Sequence, residues 1–257
     1  MRSVGLDIGS RAVKLVLLEE GRVALTRTAD TVPDPLASGR RLLEGLAWDR
    51  ILATGYGRGL LEAACEIPTV TEIKAHAVGA RHLFPGVRTV LDIGGQDSKA
   101  IALGPEGQVL AFEMNDRCAA GTGKFLEIMA NTLGFGLGEF AAEALRAERE
   151  LPIHSLCTVF AESEVTSLLA RGEDRRGIAL GLHRAIARRA AGMLARISRE
   201  GPVAFTGGAA RNGCLARLLE ELLKRPLLVP DAPELAGALG AALLASRPEA
   251  LPPARTA

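Results

Sequence analysis

No stretch of the 257-residue sequence approaches the ~20 uninterrupted apolar residues that a membrane-spanning helix needs. The opening MRSVGLDIGS turns polar too soon for a secretory signal. A membrane-spanning helix is therefore not expected, and a cytoplasmic location is. Charge of one sign is also missing: Lys+Arg number 31 against Asp+Glu 30, so no field attracts nucleic acid or an anionic membrane. Cysteine is scarce. Cys65, Cys118, Cys157 and Cys214 are the only four and no two form a C-x-x-C pair, which removes single-chain zinc and ferredoxin patterns. In a reducing compartment the four are expected as thiols or metal ligands, not as structural disulfides. Two nucleotide motifs fail as well. AAGTGKF lacks the first glycine of a Walker A loop and follows Lys124 with Phe125 instead of Ser or Thr. GYGRG at Gly55 to Gly59 has the wrong glycine spacing for a dinucleotide fingerprint.

What is present is a globular composition, 48% hydrophobic and 24% charged, in a chain long enough for one large domain or two ordinary ones. Residues 3–8 (SVGLDI), 12–18 (AVKLVLL) and 23–28 read as strands of a meander, and 51–54 (ILAT) as a further strand. Helical periodicity follows GYGRG and recurs over 70–81. The punctuation HLFPGV, with Pro85 and Gly86, then marks a boundary. Beyond it the opening pattern returns: TVLDI, Gly94-Gly95-Gln96-Asp97 and SKAIAL repeat the order strand, aspartate, glycine turn and strand of VGLDIGSRAVKLVLL. Helices are expected over 117–133, 158–170, 183–199 and 215–223. Short strands are expected over 202–206 and 227–229, a terminal helix over 234–245, and a disordered tail after it.

A glycine-tipped hairpin lets backbone N–H groups close around phosphate oxygens, and an aspartate just before the tip can hold hydrated Mg2+ against them. One such turn is ordinary hairpin punctuation. Two copies, with a third glycine turn at Thr206-Gly207-Gly208 for the nucleoside, form the pattern of the actin, hexokinase and Hsp70 ATPases. The fold class expected is therefore α/β, with two duplicated ribonuclease-H-like lobes around a nucleotide cleft. The first lobe would span 1–86, with a helix near 234–246 packing back toward it. The second would span 87–233 and carry the cysteines of interest, with 247–257 as a tail. Asp7, Asp92 and Gln96 are the candidate catalytic residues, and Asp7 and Asp92 the Mg2+ ligands. Gly9, Ser10, Lys14, Gly94, Gly95, Gly121, Thr122, Gly123, Gly207 and Gly208 are the candidate nucleotide-binding residues.

Cys118 and Cys157 each stand before an expected helix, where the N-terminal partial charge of about +0.5 favours a thiolate or an anionic metal cluster. The bland alternative for both is a small buried thiol. An iron-sulfur cube takes four thiolates, which a symmetric dimer would supply as two from each chain. Cys65 and Cys214 lie in apolar helical patterns and are expected in the core. The four histidines are scattered and expected to be satisfied locally, with His154 close enough to Cys157 to neighbour a cluster.

Over roughly residues 4–245 the sequence resembles the ATP-dependent activators of 2-hydroxyacyl-CoA dehydratases and the related ATPase subunits of benzoyl-CoA reductases. The resemblance is carried by VGLDIGSRAVKLVLL, ATGYGR, VTEIKAHAVGA, VLDIGGQDSKAI, FEMNDRCAAGTGKFLE, CTVFAESEV, FTGGAARN and GALGAAL, of which NDRCAAGTGKFLE is the most specific. It implies a homodimer with one 4Fe-4S cluster held through Cys118 and Cys157, and ATP or ADP with Mg2+ in each subunit. A ferredoxin or flavodoxin would be the electron donor. The partner would be an acyl-CoA dehydratase or an aromatic acyl-CoA reductase component. Two rivals share the ATPase pattern: a cluster-free small-molecule kinase and a nucleotide-switched scaffold.

Overall fold

The computed structural model describes residues 1–155, 157–198 and 200–247. The expected tail lies, from residue 248 onward, outside the described residues. The chain forms two units. One comprises Met1–Gly86, Leu103–Val109 and the chain from Glu234 onward; the other comprises Val87–Ala102 and Leu110–Pro233.

The first unit is built on β1 (Arg2–Ile8), β2 (Ala12–Glu19), β3 (Arg22–Asp30) and β4 (Arg50–Thr54), in the order β3-β2-β1-β4. The first three form an antiparallel meander and β4 runs parallel to β1. One face of the sheet buries Val4, Leu6, Ile8, Val13, Leu15 and Leu17. Helix α1 (Pro35–Leu43) is started by Asp34, whose carboxylate accepts from the N–H groups of Leu36 and Ala37, with proline at the first helical position. Helices α2 (Arg58–Cys65) and α3 (Glu72–Leu83) follow, the latter capped by Thr71. Between them, Thr69 bridges to Ala53 in parallel as a rudimentary fifth strand.

The second unit repeats that plan. Strands β5 (Thr89–Ile93), β6 (Ser98–Leu103), β7 (Val109–Asn115), β8 (Val203–Thr206) and β9 (Leu227–Leu228) lie in the order β7-β6-β5-β8-β9. Here too the first strand pairs antiparallel with the second and parallel with the fourth. Helices α4 (Gly123–Thr132), α5 (Leu137–Leu145), α6 (Thr158–Ala170), α7 (Arg175–Ile197) and α8 (Gly213–Leu223) pack a core that includes Phe125, Met129, Phe140, Ile178, Leu182, Phe205 and Leu215. Helix α9 (Ala236–Ala245) then returns to the first unit, where Ala238, Leu239 and Ala242 pack on Val16 and Leu18.

Several elements differ from expectation. Helix α4 begins at Gly123, not at residue 117, because Asp116 to Thr122 is folded as a hydrogen-bonded loop. Helix α7 begins at Arg175, well ahead of His183, because Asp174 caps it through the N–H groups of Arg176 and Gly177. Helices α1 and α5 and strand β7 had no counterpart in the sequence reading. Among the described residues no helix is long and apolar enough to cross a membrane.

Candidate functional site

In the first unit, strand register places Asp7 opposite Lys14 and beside Thr54. The Lys14 ammonium lies 3.2 Å from Asp7 Oδ2, and both side chains are largely buried. Gly9 N–H donates to Ala12 O at 3.2 Å, closing the tight turn expected between β1 and β2. Gly9 and Ser10 are half-buried at that turn. Gly55, just after β4, has φ +96°, and a Cβ there would lie 2.5 Å from Asp7 Oδ1. Only glycine lets the backbone pass this close to the carboxylate.

The second unit reproduces the arrangement. Asp92 stands opposite Lys99 and beside Thr206. Lys99, 2% exposed, reaches Asp92 at 3.5 Å and Asp97 at 2.7 Å. Gly94 N–H donates to Asp97 O at 2.9 Å, the counterpart of the Gly9 bond. Gly207 has φ +85°, and a Cβ there would lie 2.9 Å from Asp92 Oδ1 and 2.3 Å from Ile93 O. Thr206 Oγ1 donates to Asp92 Oδ1 at 2.9 Å, fixing the carboxylate. Gln96 is exposed at the tip of the β5–β6 turn, and Gly208 opens a short 3-10 turn after Gly207. Each aspartate is thus a hard oxygen donor beside a turn whose backbone no Cβ obstructs, a donor set that suits Mg2+ and phosphate.

Gly121, Thr122 and Gly123 are brought against the Gly94–Gly95 turn. Gly123 N–H donates to Gly94 O at 2.9 Å and Lys124 N–H to Gly95 O at 2.8 Å. These are the first two donors of α4, which have no intrahelical partner, and the turn satisfies them. Thr122, the N-cap, makes no capping bond; its hydroxyl donates to Ala119 O at 2.6 Å. Gly121 has φ +85°.

The two thiols before helices are not placed alike. Cys157 is itself the N-cap of α6 and is exposed. Cys118 is half-buried in the loop ahead of Thr122. Cys214 is fully buried, and burial pushes its thiol up to about 11 against the opposing effect of Arg184 and Arg217. Cys65 is half-buried against the first unit's core. Among the described residues no group of three or more His, Cys, Asp or Glu side chains could hold a metal ion. One chain offers two thiols before α4 and α6, Cys157 exposed and Cys118 half-buried, half of what a four-iron cluster takes. That donor set fits a cluster shared by two chains.

Several residues escaped the sequence reading. Lys99 could have been found, since it follows Asp92 at the spacing by which Lys14 follows Asp7. Thr54-Gly55 and Thr206-Gly207 likewise share a dipeptide after a strand, although only the second was read as a nucleotide turn. Asn115 donates to Cys118 O and Ala120 O at 2.9 and 3.1 Å, and Glu164 accepts from the N–H groups of His154 and Ser155 at 3.0 and 2.9 Å. Burial opposes the ionisation of Glu164, but those backbone bonds outweigh it and lower its pKa.

A lactoyl-CoA dehydratase activator of Anaerotignum propionicum is 42% identical over 254 residues, covering 95% of this chain and 97% of the relative. A benzoyl-CoA reductase subunit of Thauera aromatica is 34% identical over 262 residues, covering 94% and 92%. Among solved structures, the activator of the 2-hydroxyisocaproyl-CoA dehydratase from Clostridium difficile with bound ADPNP superposes with a TM-score of 0.87 at 38% identity, covering 95% of this chain and 94% of that one. The fold is that of the actin/hexokinase/Hsp70-type ATPases, as the repeated sheet order indicates. Residues 4–245 match throughout, and the chain belongs to the BadF/BadG/BcrA/BcrD ATPase family.

Proposed function

We propose that the chain is an ATP-driven activator that delivers a low-potential electron to a partner acyl-CoA dehydratase or aromatic acyl-CoA reductase. A 4Fe-4S cluster held by Cys118 and Cys157 of two copies would carry that electron. The observation that carries the reading is the pair of bonds from Gly123 and Lys124 N–H to Gly94 and Gly95. They join the loop bearing the half-buried Cys118 to a candidate phosphate turn. Dehydratase activators and a reductase subunit among the relatives support the partner class.

In this reading the ATPase lobes are 1–86 with the helix near 234–246, and 87–233. Asp7 and Asp92 hold Mg2+, and the turns at Gly9-Ser10, Gly94-Gly95, Gly121-Thr122-Gly123 and Gly207-Gly208 bind the nucleotide through backbone N–H groups. Lys14 neutralises Asp7 and the adjoining phosphate. Gln96, whose amide both donates and accepts, holds the attacking water. The cluster, when bound, supplies a one-electron store whose potential follows the dipoles, charges and solvent exposure around it. A change of nucleotide state at Gly94-Gly95 moves the start of α4 and the loop before it, altering those surroundings. Val159 and Phe160, each 67% exposed on the first turn of α6, offer an apolar face beside Cys157 for a second copy to cover. A ferredoxin or flavodoxin donor and a cytoplasmic location complete the reading.

Iron content and nucleotide binding, measured together on anaerobically reconstituted protein, test the proposal. The wild type should be brown, with about two iron atoms per chain if one four-iron cluster is shared. Cys118→Ala and Cys157→Ala should lose the iron and keep nucleotide binding, whereas Cys65→Ala and Cys214→Ala should keep both. Full iron in either of the first two variants rejects the ligand assignment. A colourless wild type that binds nucleotide normally would point to a kinase or a scaffold.

A further inference from the structure

Strand β7 ends at Asn115, whose side chain folds forward over the Cys118 loop. Its amide nitrogen has two N–H donors, and both are used, one on Cys118 O at 2.9 Å and one on Ala120 O at 3.1 Å. Ala119 O, between them, accepts from Thr122 through both N–H and Oγ1. Three successive carbonyls of the loop are thus engaged, and a loop so bonded moves as one body.

The remaining hydrogen-bonding group of Asn115, its Oδ1, accepts from Arg189 Nη2 at 3.3 Å. Arg189 comes from α7, and its stem also passes under Gly121, where a Cβ would lie 2.9 Å from Arg189 Cδ. One arginine therefore touches both ends of the loop. Just beyond, Gly123 and Lys124 donate to the Gly94-Gly95 turn. Asn115 and Arg189 also line a cavity of about 630 Å3 with His154, Arg188 and Arg196, so water can reach the clamp from one side.

We propose that Asn115, oriented by Arg189, is the positioning residue that fixes the Cys118 thiol and binds its loop to the Gly94-Gly95 turn. The thiol then follows the nucleotide state. The inference rests on the activator reading for its purpose, but the coupling it describes is a property of the chain alone.

The discriminating variant is Asn115→Asp. The carboxylate has nearly the same shape and keeps the Arg189 contact, now as an ion pair, yet it cannot donate to Cys118 O or Ala120 O. Water from the cavity can solvate it, so the fold should tolerate the change. The measurement is site-resolved alkylation of the full-length, metal-stripped chain by iodoacetamide, read by mass spectrometry, with and without Mg2+ and ADP or ADPNP. In the wild type the Cys118 rate should differ several-fold between nucleotide-free and nucleotide-bound protein. In Asn115→Asp it should rise ~10-fold, the loss of two ordinary hydrogen bonds, and become independent of nucleotide. The Cys157 rate should stay within about twofold, which a general loosening of the fold would not allow, and the nucleotide affinity should change by no more than the several-fold coupling that is lost. Arg189→Met keeps the stem under Gly121, removes the guanidinium, and should act in the same direction more weakly; it decides the matter if Asn115→Asp fails to fold. A Cys118 rate in the deciding variant that matches the wild type in size and nucleotide response overturns the proposal. Failure of the activator reading would show separately, as an iron-free wild type in reconstitution.

Discussion

His183 is sealed inside the second unit, its ring 4.5 Å from that of Phe140, with Nδ1 2.7 Å from Ala179 O and Nε2 2.9 Å from Asn212 Nδ2. Burial lowers its pKa to about 4 from the ordinary 6.5, against the opposing bond to Ala179. The folded protein thus holds the ring neutral while the unfolded chain protonates it. Stability should be flat above pH ~6.5 and fall as the pH drops toward ~4, by about 2 kcal/mol between pH ~7 and pH ~5. Urea midpoints across that range should slope less for His183→Gln than for the wild type. Equal slopes would mean that the ring is not the responding group. That a lone histidine is satisfied locally was legible in the sequence; which groups satisfy it was not. The same holds at the candidate site. Asp7, Asp92 and their glycine turns show as a repeated string, because hairpin chemistry is local. Lys99 was within reach of the same repeat, whereas Asn115, Arg189 and Glu164 act between a strand or helix and a loop, and no local pattern encodes those distances.

Helix α9 illustrates the same limit one level up. Its sequence AGALGAALLA is apolar all round, which reads as a buried helix, but its partners become visible only in the fold. It lies against β1 and α3 at backbone range. A Cβ on Gly240 would stand 1.8 Å from Ala75 O, one on Gly79 2.0 Å from Ala236 O, and one on Gly5 2.0 Å from Ala238 O. Gly240→Ala therefore forces two backbones apart and should cost about 3 kcal/mol or more. Gly59, in the first turn of α2 with open space around it, is the control: Gly59→Ala should stabilise by about 0.5 kcal/mol, chiefly by reducing the freedom of the unfolded chain. Thermal melts of the two variants should move in opposite directions. Close approach also explains the misread start of α7. Gly177 and Gly181 interrupt its apolar pattern, yet a Cβ on Gly181 would meet Leu151 O at 1.8 Å. The residues that hid the helix from a periodicity argument are the ones that let the chain pack against it.

Across the whole molecule the duplicated order β3-β2-β1-β4 and β7-β6-β5-β8 underlies the repeated aspartates. It was legible because strand, aspartate and glycine turn recur in series. The last segment of the repeat was legible in one unit only: the two-residue β9 lies within the strand expected over 227–229, whereas the single bridge at Thr69 is too short for any pattern. The first unit is also discontinuous in sequence. A chain stopped after Pro233 would leave Val16, Leu18 and Leu52 without the α9 side chains they pack on, each a loss of about 1.5–3 kcal/mol of burial. It should sediment as aggregate, where the full chain stays in the supernatant. The return of α9 has a temporal side as well. A ribosome releases β1 to β4 early, yet the groove along Gly5 and Gly79 cannot be filled until residues 236–245 have emerged. The second unit is complete in the nascent chain by Pro233. The half that begins first is thus finished last, and during synthesis it is the half that a chaperone has most reason to hold.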